Sequence, residues 1–392
     1  MSLLQLNLSP DLLRLREAPY NVSIKAGYLV VRGIPYVNSA KAVCKGVLVS
    51  ALELAGDRTA PPQDHTIMFS GEFPCHSDGT AMEMLRHQSV TRILDKGLEV
   101  HHAFSRKPLK GRYADYYEKV ETYISLISRE AADIDPSATA LTRKVVEPED
   151  EEYPFAYFDT ASARAEINIV ANKLATDKIA IIGLGGTGSY VLDLVAKTPV
   201  KEIHLFDADQ FSTHNAFRAP GAATVEELRE LPLKVVYFKS RYSKMNRRIT
   251  AHEADISCSN VDLLSGMTFV FLCIDRGSDK KIIVEKLEEY AIPFIDVGMG
   301  LYRSGDSLGG KLRVTTSLPG RRDSAREAIP LSGDDIHNEY DKNIQIADLN
   351  SLNACLAVLR WKKLRGFYMD SEREQLTTYT IDFNLLMSED KA

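Results

Sequence analysis

A short apolar run, Ile179 to Ile182, ends in a cluster of four glycines at Gly183, Gly185, Gly186 and Gly188. A helical pattern follows from Ser189 to Lys197. A chain that turns tightly from a strand into a helix needs glycine there, because the backbone takes unusual φ values and a Cβ would block an approaching phosphate. The N-terminus of the helix offers free N–H groups and a partial positive charge to an anion. We therefore predict a nucleotide-binding loop.

A series of polar residues follows the glycines and distinguishes between two kinds of nucleotide. Its members are Asp207, Asp209, Asn215, Arg218, Lys234 and Asp275. Asp207 ends a second apolar strand, where a carboxylate can accept hydrogen bonds from ribose hydroxyls. Binding of NAD needs this one acidic group at the ribose and little positive charge near the pyrophosphate. Cleavage of ATP between its α- and β-phosphates also needs cations on the phosphates and a carboxylate for Mg²⁺. The cations Arg218 and Lys234, with Asp275 at the end of an apolar strand, favour ATP.

Residues 178–367 resemble the ThiF/MoeB family, the adenylating domain shared with ubiquitin-activating enzymes. The motifs that carry the resemblance are, in chain order, the glycine-rich loop, Asp207-Ala-Asp209, Asn215-Ala-Phe-Arg218, Lys234, and Asp275 in Cys-Ile-Asp-Arg, with further landmarks at Ile295–Gly300 and Gln345–Asn350. Two departures concern the phosphate contacts. Ala219 stands where the family often has Gln, and Lys234 lies further from Arg218 than is usual.

This resemblance implies an activity and a set of roles. Enzymes of the family attach AMP to the C-terminal carboxylate of a small ubiquitin-like (β-grasp) or sulfur-carrier protein that ends in Gly, and release pyrophosphate. The implied roles are ribose binding for Asp207, nucleotide binding for Asp209, charge stabilisation on the phosphates for Asn215, Arg218 and Lys234, and Mg²⁺ binding for Asp275. Arg164 matches an arginine that crosses to the partner subunit in family dimers, which implies a homodimer.

Other interpretations stay open at this point. Asp207 alone is compatible with a helix cap, and Arg218, Lys234 and Arg164 with solvated surface charges. Two alternative functions are an NAD-dependent oxidoreductase with a Rossmann fold and a non-catalytic ThiF-like scaffold that binds a partner. Within the leading interpretation, the sequence leaves open whether the activated protein passes to sulfur transfer or to a conjugating enzyme.

The five cysteines contain no C-x-x-C pair. A structural zinc site needs four closely grouped N or S ligands, so we expect no zinc. Scattered cysteines also suit a reducing compartment. Cys75, in Phe73-Pro-Cys-His76, is a candidate thioester nucleophile, because Pro74 and nearby glycines predict an exposed turn and His76 could lower the thiol pKa. The alternative for Cys75 is a structural thiol.

Composition restricts the class of protein. The chain has 392 residues, 44% of them hydrophobic, which is enough for two or three domains with their own cores. A net charge of −6 argues against broad binding to nucleic acid or to anionic membranes. No apolar run approaches the roughly 20 residues that span a bilayer, and the N-terminus lacks the features of a signal peptide. We expect a cytoplasmic protein.

The order of predicted elements indicates two domains. Residues 1–146 read as an α+β domain, which resembles the domain fused ahead of ThiF modules in bacterial operons that encode ubiquitin-like proteins. An acidic, proline-containing linker at 147–154 follows. Residues 155–392 predict an α/β domain with a doubly wound, mainly parallel Rossmann-like sheet. Its last predicted strand, 309–315, is expected to be antiparallel and at the edge, and a stripe of leucines (Leu349, Leu352, Leu356 and Leu359) is expected to face the core.

Overall fold

The computed structural model describes residues 9–56, 58–142, 153–157, 159, 167–275, 277–331 and 344–389. These residues divide into two compact units. The first contains the described residues up to 142, and the second contains 153–156 and the described residues from 169 onward. Most of the predicted linker, 147–154, lies outside the described residues. In the part of the chain that is described, no helix is long and apolar enough to cross a membrane.

The first unit is an antiparallel sheet with a long helix on one face. Its helices are α1 (Pro10–Glu17) and α2 (Tyr116–Ile134), and its strands are β1 (Asn21–Lys25), β2 (Tyr28–Val37), β3 (Val43–Ala51), β4 (Leu54–Ala55), β5 (Arg58–Thr59), β6 (Thr66–Ser70), β7 (Arg86–Asp95) and β8 (Leu98–Ser105). The six main strands follow the order β1-β2-β3-β6-β8-β7, while β4 and β5 form a separate pair. Asp115 caps α2 by accepting a hydrogen bond from Glu118 N at 2.8 Å. The predicted α+β class is confirmed.

The second unit contains the glycine-rich loop and the polar series. Its helices are α3 (Asn168–Ala171), α4 (Gly186–Val195), α5 (Thr213–Ala216), α6 (Val225–Glu230), α7 (Lys234–Tyr242), α8 (Gly277–Glu289), α9 (Asp323–Ala328) and α10 (Ala347–Leu364). Its strands are β9 (Lys178–Ile182), β10 (Glu202–Phe206), β11 (Ile249–His252), β12 (Phe269–Leu272), β13 (Phe294–Ser304), β14 (Ser307–Ser317), β15 (Leu376–Thr380) and β16 (Leu385–Glu389).

One eight-stranded sheet organises this unit, in the order β11-β10-β9-β12-β13-β14-β15-β16. The first five strands are parallel and the last three are antiparallel. Ile179 and Ile181 belong to one core, Ala180 and Ile182 to another, so both faces of β9 are covered. The chain order reverses between β9 and β12, which creates a crevice at the carboxyl ends of these strands. The predicted doubly wound, mainly parallel fold is confirmed.

The prediction that the antiparallel strand at 309–315 ends the sheet is wrong. It is part of β14, which pairs with β13 on one side and with β15 on the other. The hairpin of β15 and β16 continues the sheet by two more strands. The side chains of β16 are mostly exposed, so this strand lacks the alternation of buried and exposed residues by which strands are recognised in a sequence.

The expected orientation of helix α10 is also wrong. None of its four leucines is fully buried: Leu349, Leu352 and Leu356 are partly buried, Leu356 packs against the edge of the core, and Leu359 is 42% exposed. The face that packs against the sheet and α4 instead carries the buried residues Asn350, Asn353, Ala354, Ala357, Val358, Arg360 and Trp361. Small and amide side chains allow α10 to approach α4 closely, and they bring Asn350 against Gly186. The stripe therefore identifies a second apolar face rather than the core face.

Candidate nucleotide-binding site

A cavity of about 310 Å³ opens at the carboxyl ends of β9, β10, β12 and β13. The predicted residues that line it are Gly183, Gly185, Gly186, Asp207, Asp209, Arg218, Lys234 and Asp275. Gly188 and Asn215 are not among its lining residues. Arg164 lies outside the described residues, so its predicted role stays a prediction. The structure thus gathers eight of the eleven predicted site residues around one crevice.

The shape of the glycine-rich loop depends on close backbone contacts. Gly183 has a φ of +87°, and a Cβ there would lie 2.7 Å from the carbonyl oxygen of Cys273 on the neighbouring strand's end. A Cβ on Gly188 would lie 1.9 Å from the carbonyl oxygen of Gly183. Both contacts involve backbone atoms that cannot move aside. Gly188 therefore closes the turn between β9 and α4, while Gly183, Gly185 and Gly186 face the cavity.

Asp207 fixes the loop from the end of β10. Its Oδ2 accepts a hydrogen bond from Leu184 N at 2.7 Å, and its Oδ1 accepts one from Asp209 N at 2.9 Å. Lys234 Nζ adds a contact at 3.2 Å to Oδ1. Lys234 Nζ also donates to Oδ2 at 3.4 Å, so these contacts occupy about the four acceptor positions that a carboxylate offers, and a ribose hydroxyl would take the place of the long Lys234 contact. Asp207 can accordingly hold the loop and a ribose together.

Lys234 lies between two carboxylates. It is the first residue of α7, where the partial positive charge of a helix N-terminus disfavours a cation. The nearby Asp207 and the shorter contact to Asp209 Oδ2, at 2.7 Å, compensate for that cost. The Lys234 and Asp207 side chains are only 7% and 6% exposed, whereas that of Asp209 is 69% exposed. An arriving phosphate could therefore replace the exposed Asp209 and leave the buried pair intact.

Arg218 provides the second cation. Burial lowers the pKa of its guanidinium from the usual value, and the negative charge of nearby Asp275 opposes that shift. The Arg218 Nε is buried and has no hydrogen-bond partner among the described residues. Asp275 itself is exposed in the cavity. A buried donor without an acceptor is costly, so this nitrogen is a natural position for a ligand oxygen.

Asn215 shapes the turn that presents Arg218. Its Oδ1 accepts a hydrogen bond from Ser212 N at 3.0 Å, which caps the short helix α5. Its carbonyl oxygen accepts a hydrogen bond from Arg218 N at 3.1 Å. In this arrangement the amide of Asn215 contributes to the position of Arg218 rather than to the cavity wall.

Two groups of lining residues were missed by sequence reasoning. Asn350 accepts a hydrogen bond from Thr187 Oγ1 at 3.0 Å and donates one to the carbonyl oxygen of Arg218 at 3.4 Å. It occupies the space that a Cβ of Gly186 would fill, 2.0 Å from Asn350 Nδ2. Its segment, Gln345–Asn350, was noted only as a landmark. Asn350 thereby joins the loop to the Arg218 turn.

The second missed group is a buried charge cluster at β13. Asp296 Oδ1 lies 2.7 Å from Lys280 Nζ, and its Oδ2 lies 2.6 Å from Arg313 Nη2. Burial raises the pKa of Asp296, and the charges of the two cations oppose that shift. Lys280 and Arg313 both line the cavity. The signal in the sequence was a lone Asp inside the apolar strand Phe294–Val297.

Cys75 is buried, so the expectation that it lies in an exposed turn is wrong. The residue is 3% exposed, and its Sγ donates a hydrogen bond to the carbonyl oxygen of Phe73 at 3.5 Å. Burial raises the pKa of the thiol, and the negative charges of Glu72 and Asp78 act in the same direction. His76 pairs with Glu130 at 3.0 Å instead of activating the thiol. These surroundings disfavour the thiolate that a thioester step needs.

The described residues contain no group of three or more His, Cys, Asp or Glu that could hold a metal ion. Mg²⁺ does not require such a group, because it is usually held by one or two carboxylates together with substrate phosphates and water. Asp275 fits that pattern, since it is exposed beside Arg218 at the end of β12. Asp207 and Asp209 fit it less well, because both already pair with Lys234.

Comparison with protein families identifies the second unit. Residues 162–335 match the ThiF family, and residues 10–160 match a domain of unknown function, DUF6791. The chain carries a ThiF family domain. The predicted family and the enzyme class, an adenylyltransferase, are confirmed by this match. The ThiF domain contains the whole glycine-rich loop and every predicted site residue from Gly183 to Asp275.

Solved structures with a similar fold include E. coli MccB with ATP, at 19% identity and a TM-score of 0.46, covering 58% of this chain and 71% of that one. E. coli MccB with SeMet MccA has 16% identity and a TM-score of 0.47, covering 62% and 73%. SeMet PaaA has 19% identity and a TM-score of 0.43, covering 57% and 75%. Among curated proteins none matches the chain. The low TM-scores leave the functional assignment to the family match and the cavity.

Proposed function

We propose that the ThiF domain transfers AMP from ATP to the C-terminal carboxylate of a small ubiquitin-like or sulfur-carrier protein that ends in Gly. The observation that carries this proposal is the convergence, on one cavity, of a glycine-rich loop, the carboxylate of Asp207 that holds this loop, the buried cation Lys234, and the partly buried Arg218 near the exposed Asp275. The cations suit a triphosphate and are superfluous for NAD.

The proposed reaction is a displacement at the α-phosphorus of ATP. A carboxylate oxygen of the partner forms a bond to this phosphorus, the bond to the oxygen that bridges to the β-phosphate breaks, and pyrophosphate leaves with the electron pair. Negative charge grows on the phosphate oxygens during this step. Arg218 and Lys234 are already in place before it, and each such preorganised group typically contributes about 3–4 kcal/mol to transition-state stabilisation.

The remaining residues bind and orient. Asp207 would accept a hydrogen bond from a ribose hydroxyl in place of its long, 3.4 Å contact with Lys234 Nζ. The N-terminus of α4, with Gly185 and Gly186 at the cavity, would donate N–H groups to phosphate oxygens. Asp275 would hold Mg²⁺, which when bound supplies further positive charge to the phosphates. Asn215 and Asn350 would hold Arg218 in position next to the glycine-rich loop.

The first test needs no partner protein. Isothermal titration of the full chain should show that ATP with Mg²⁺ binds and that NAD and NADH do not compete with it. Asp275→Ala should weaken ATP binding only when Mg²⁺ is present. Asp306→Ala, at a fully exposed aspartate of the same sheet, is the matched control and should bind ATP as the wild type does. Tighter binding of NADH than of ATP would contradict this proposal and favour the alternative function, an NAD-dependent oxidoreductase.

The second test addresses catalysis. Exchange of labelled pyrophosphate into ATP should occur in the presence of a small ubiquitin-like partner protein that ends in Gly, and should fail when its last Gly is removed. Absence of exchange together with normal ATP and partner binding would favour the scaffold alternative. Detection of a sulfur-loaded or a conjugated partner would then separate the two downstream fates. We further propose a homodimer that works in the cytoplasm, where ATP is available.

A further inference from the structure

The charge cluster at β13 has an orphaned donor. The guanidinium of Arg313 donates from Nη2 to Asp296 and from Nη1 to the carbonyl oxygen of Ala328. Its Nε is buried and has no hydrogen-bond partner among the residues that the structure describes. Arg313 lines the nucleotide cavity, whereas Asp296 is fully buried behind it. The two Nη atoms of Arg313 are therefore held by protein acceptors, while its Nε has no acceptor within the described part of the chain.

The fold reserves space for this arginine. Arg313 is paired with Gly298 across the β13–β14 ladder. A Cβ on Gly298 would lie 2.9 Å from Arg313 Nη2 and 3.2 Å from its Nε. Lys280, with 2% of its side chain exposed, pairs with the other oxygen of Asp296 and prevents that carboxylate from turning away. Gly298, Asp296 and Lys280 together fix where the guanidinium lies.

The position of Arg313 differs from that of the other cations. The sheet order places β10, which Asp207 directly follows, two strands to one side of β12, and β14 two strands to the other side. Arg313 lies on β14, but its guanidinium reaches back over β13 to Gly298 and Asp296, so with strands about 4.8 Å apart it lies about three strand spacings, roughly 14 Å, from β10. The ribose carboxylate, the glycine-rich loop and Asp275 occupy the β10–β9–β12 side. The acyl substrate must therefore approach the α-phosphate from the β13–β14 side.

We propose that Arg313 binds the carboxyl group at the C-terminus of the acyl partner, holds it for attack on the α-phosphate and then contacts the carbonyl oxygen of the acyl-adenylate, with Asp296 and Lys280 as positioning residues. A planar guanidinium matches the geometry of a carboxylate better than an ammonium does. The proposal rests on the adenylation function proposed above and adds the residue that selects its second substrate. It predicts that this arginine discriminates between a bare nucleotide and a nucleotide that carries an acyl group.

The probes are AMP, the ATP analogue AMPCPP, and N-acetylglycyl-sulfamoyl-adenosine, an unreactive mimic of the adenylate of a C-terminal glycine. The measured quantity is the ratio of the Kd of AMP to the Kd of the mimic, by titration calorimetry on the full chain. Arg313→Met should lower this ratio by about tenfold or more while changing the Kd of AMP by no more than about threefold. Lys311→Met removes a cation from an exposed position two residues away on β14 and should leave the ratio unchanged.

Gly298→Ala provides a test that keeps all three charges. Its added methyl group displaces the guanidinium, so the ratio should fall, though less than in Arg313→Met. A urea titration shows whether each variant is folded. If Arg313→Met does not fold, Gly298→Ala is used to test the proposal instead. Asp296→Asn should also lower the ratio, although Asp296 does not line the cavity.

The outcomes separate this inference from the proposed function. An unchanged ratio in Arg313→Met, or a loss of AMP affinity as large as the loss for the mimic, overturns the role of Arg313 in acyl binding. A wild type that binds AMPCPP but does not prefer the mimic to AMP also overturns it and leaves the nucleotide site in place. A wild type that binds no adenine nucleotide overturns both.

Discussion

Substitution of Lys234 by Met tests the energetics of the cavity most directly. The residue pairs with Asp207 at 3.2 Å and with Asp209 at 2.7 Å. The pair with Asp207 is buried, and removal of one partner of a buried pair costs about 3–5 kcal/mol. The pair with the exposed Asp209 contributes at most about 1 kcal/mol. Asp207 keeps its two backbone N–H donors, so we expect the free energy of unfolding to fall by about 3 kcal/mol.

The same substitution should weaken ATP binding for a separate reason. A hydrogen bond from a charged donor contributes about 1.5–3 kcal/mol, which corresponds to roughly 10- to 150-fold in Kd. Adenosine has no phosphates, so its Kd should change little. Urea unfolding at pH 7 measures the first effect, and titration calorimetry with ATP and with adenosine measures the second. Lys239→Met, at an exposed position on the same helix, should change neither quantity.

A double variant separates the two effects. Lys234→Met with Asp207→Asn removes the buried negative charge as well, so at least about 1 kcal/mol of the lost stability should return. The affinity for ATP should not recover, because the cation is still missing. A single variant that loses less than about 1 kcal/mol, or a double variant no more stable than the single one, would refute the argument from burial. An equal loss of adenosine affinity in the single variant would refute the contact with phosphate.

Four further predictions have defined outcomes. Gly183→Ala should abolish measurable ATP binding by calorimetry, because the new Cβ would lie 2.7 Å from a backbone oxygen and the φ of +87° disfavours alanine; wild-type affinity would contradict this. Because Trp361 is fully buried, Trp361→Ala should lower the free energy of unfolding in urea by about 3–5 kcal/mol. Leu359 is 42% exposed, so Leu359→Ala should lower it by less than about 1 kcal/mol. Equal losses would show that the leucine stripe does pack in the core. Burial lowers the pKa of Lys119 to about 8, so above pH 8 the unfolded chain binds more protons than the folded chain does. The free energy of unfolding should therefore rise by about 2 kcal/mol up to pH 9.5, before the buried tyrosines titrate. Lys119→Met should show no such rise, and a rise that persists in this variant would come from other groups. Cys75→Ala should leave pyrophosphate exchange at the wild-type rate, and a complete loss of exchange in a folded variant would restore the thiol as a candidate nucleophile.

Much of the second unit could be predicted from local features of the sequence. Strands β9 and β10 were located within a residue of their observed ends, because an apolar run bounded by turn residues is a local pattern. The glycine-rich loop was predictable for the same reason, since the need for glycine at Gly183 arises from the backbone conformation at that residue. The order of cations and carboxylates after the loop then indicated the kind of nucleotide.

Other predictions failed where side-chain surroundings decide. The turn residues around Cys75 correctly suggested irregular backbone, but they could not reveal that β-bridges to Val37 and Ala81 would enclose the thiol. The leucines of α10 repeat at helical spacing, yet the core lies against the amide and alanine face. Periodicity shows that a helix has a distinct face, and it does not show which face has a partner.

The sequence by itself determined the fold class, the nucleotide loop and the types of charge around it, because these depend on residues close together in the chain. Only the tertiary structure placed Asn350 between Gly186 and Arg218, and Arg313 beside Asp296. Asn350 and Arg218 are 132 residues apart. Their contact follows from the packing of α10 against α4 and the sheet, and such packing depends on the shapes of many side chains together.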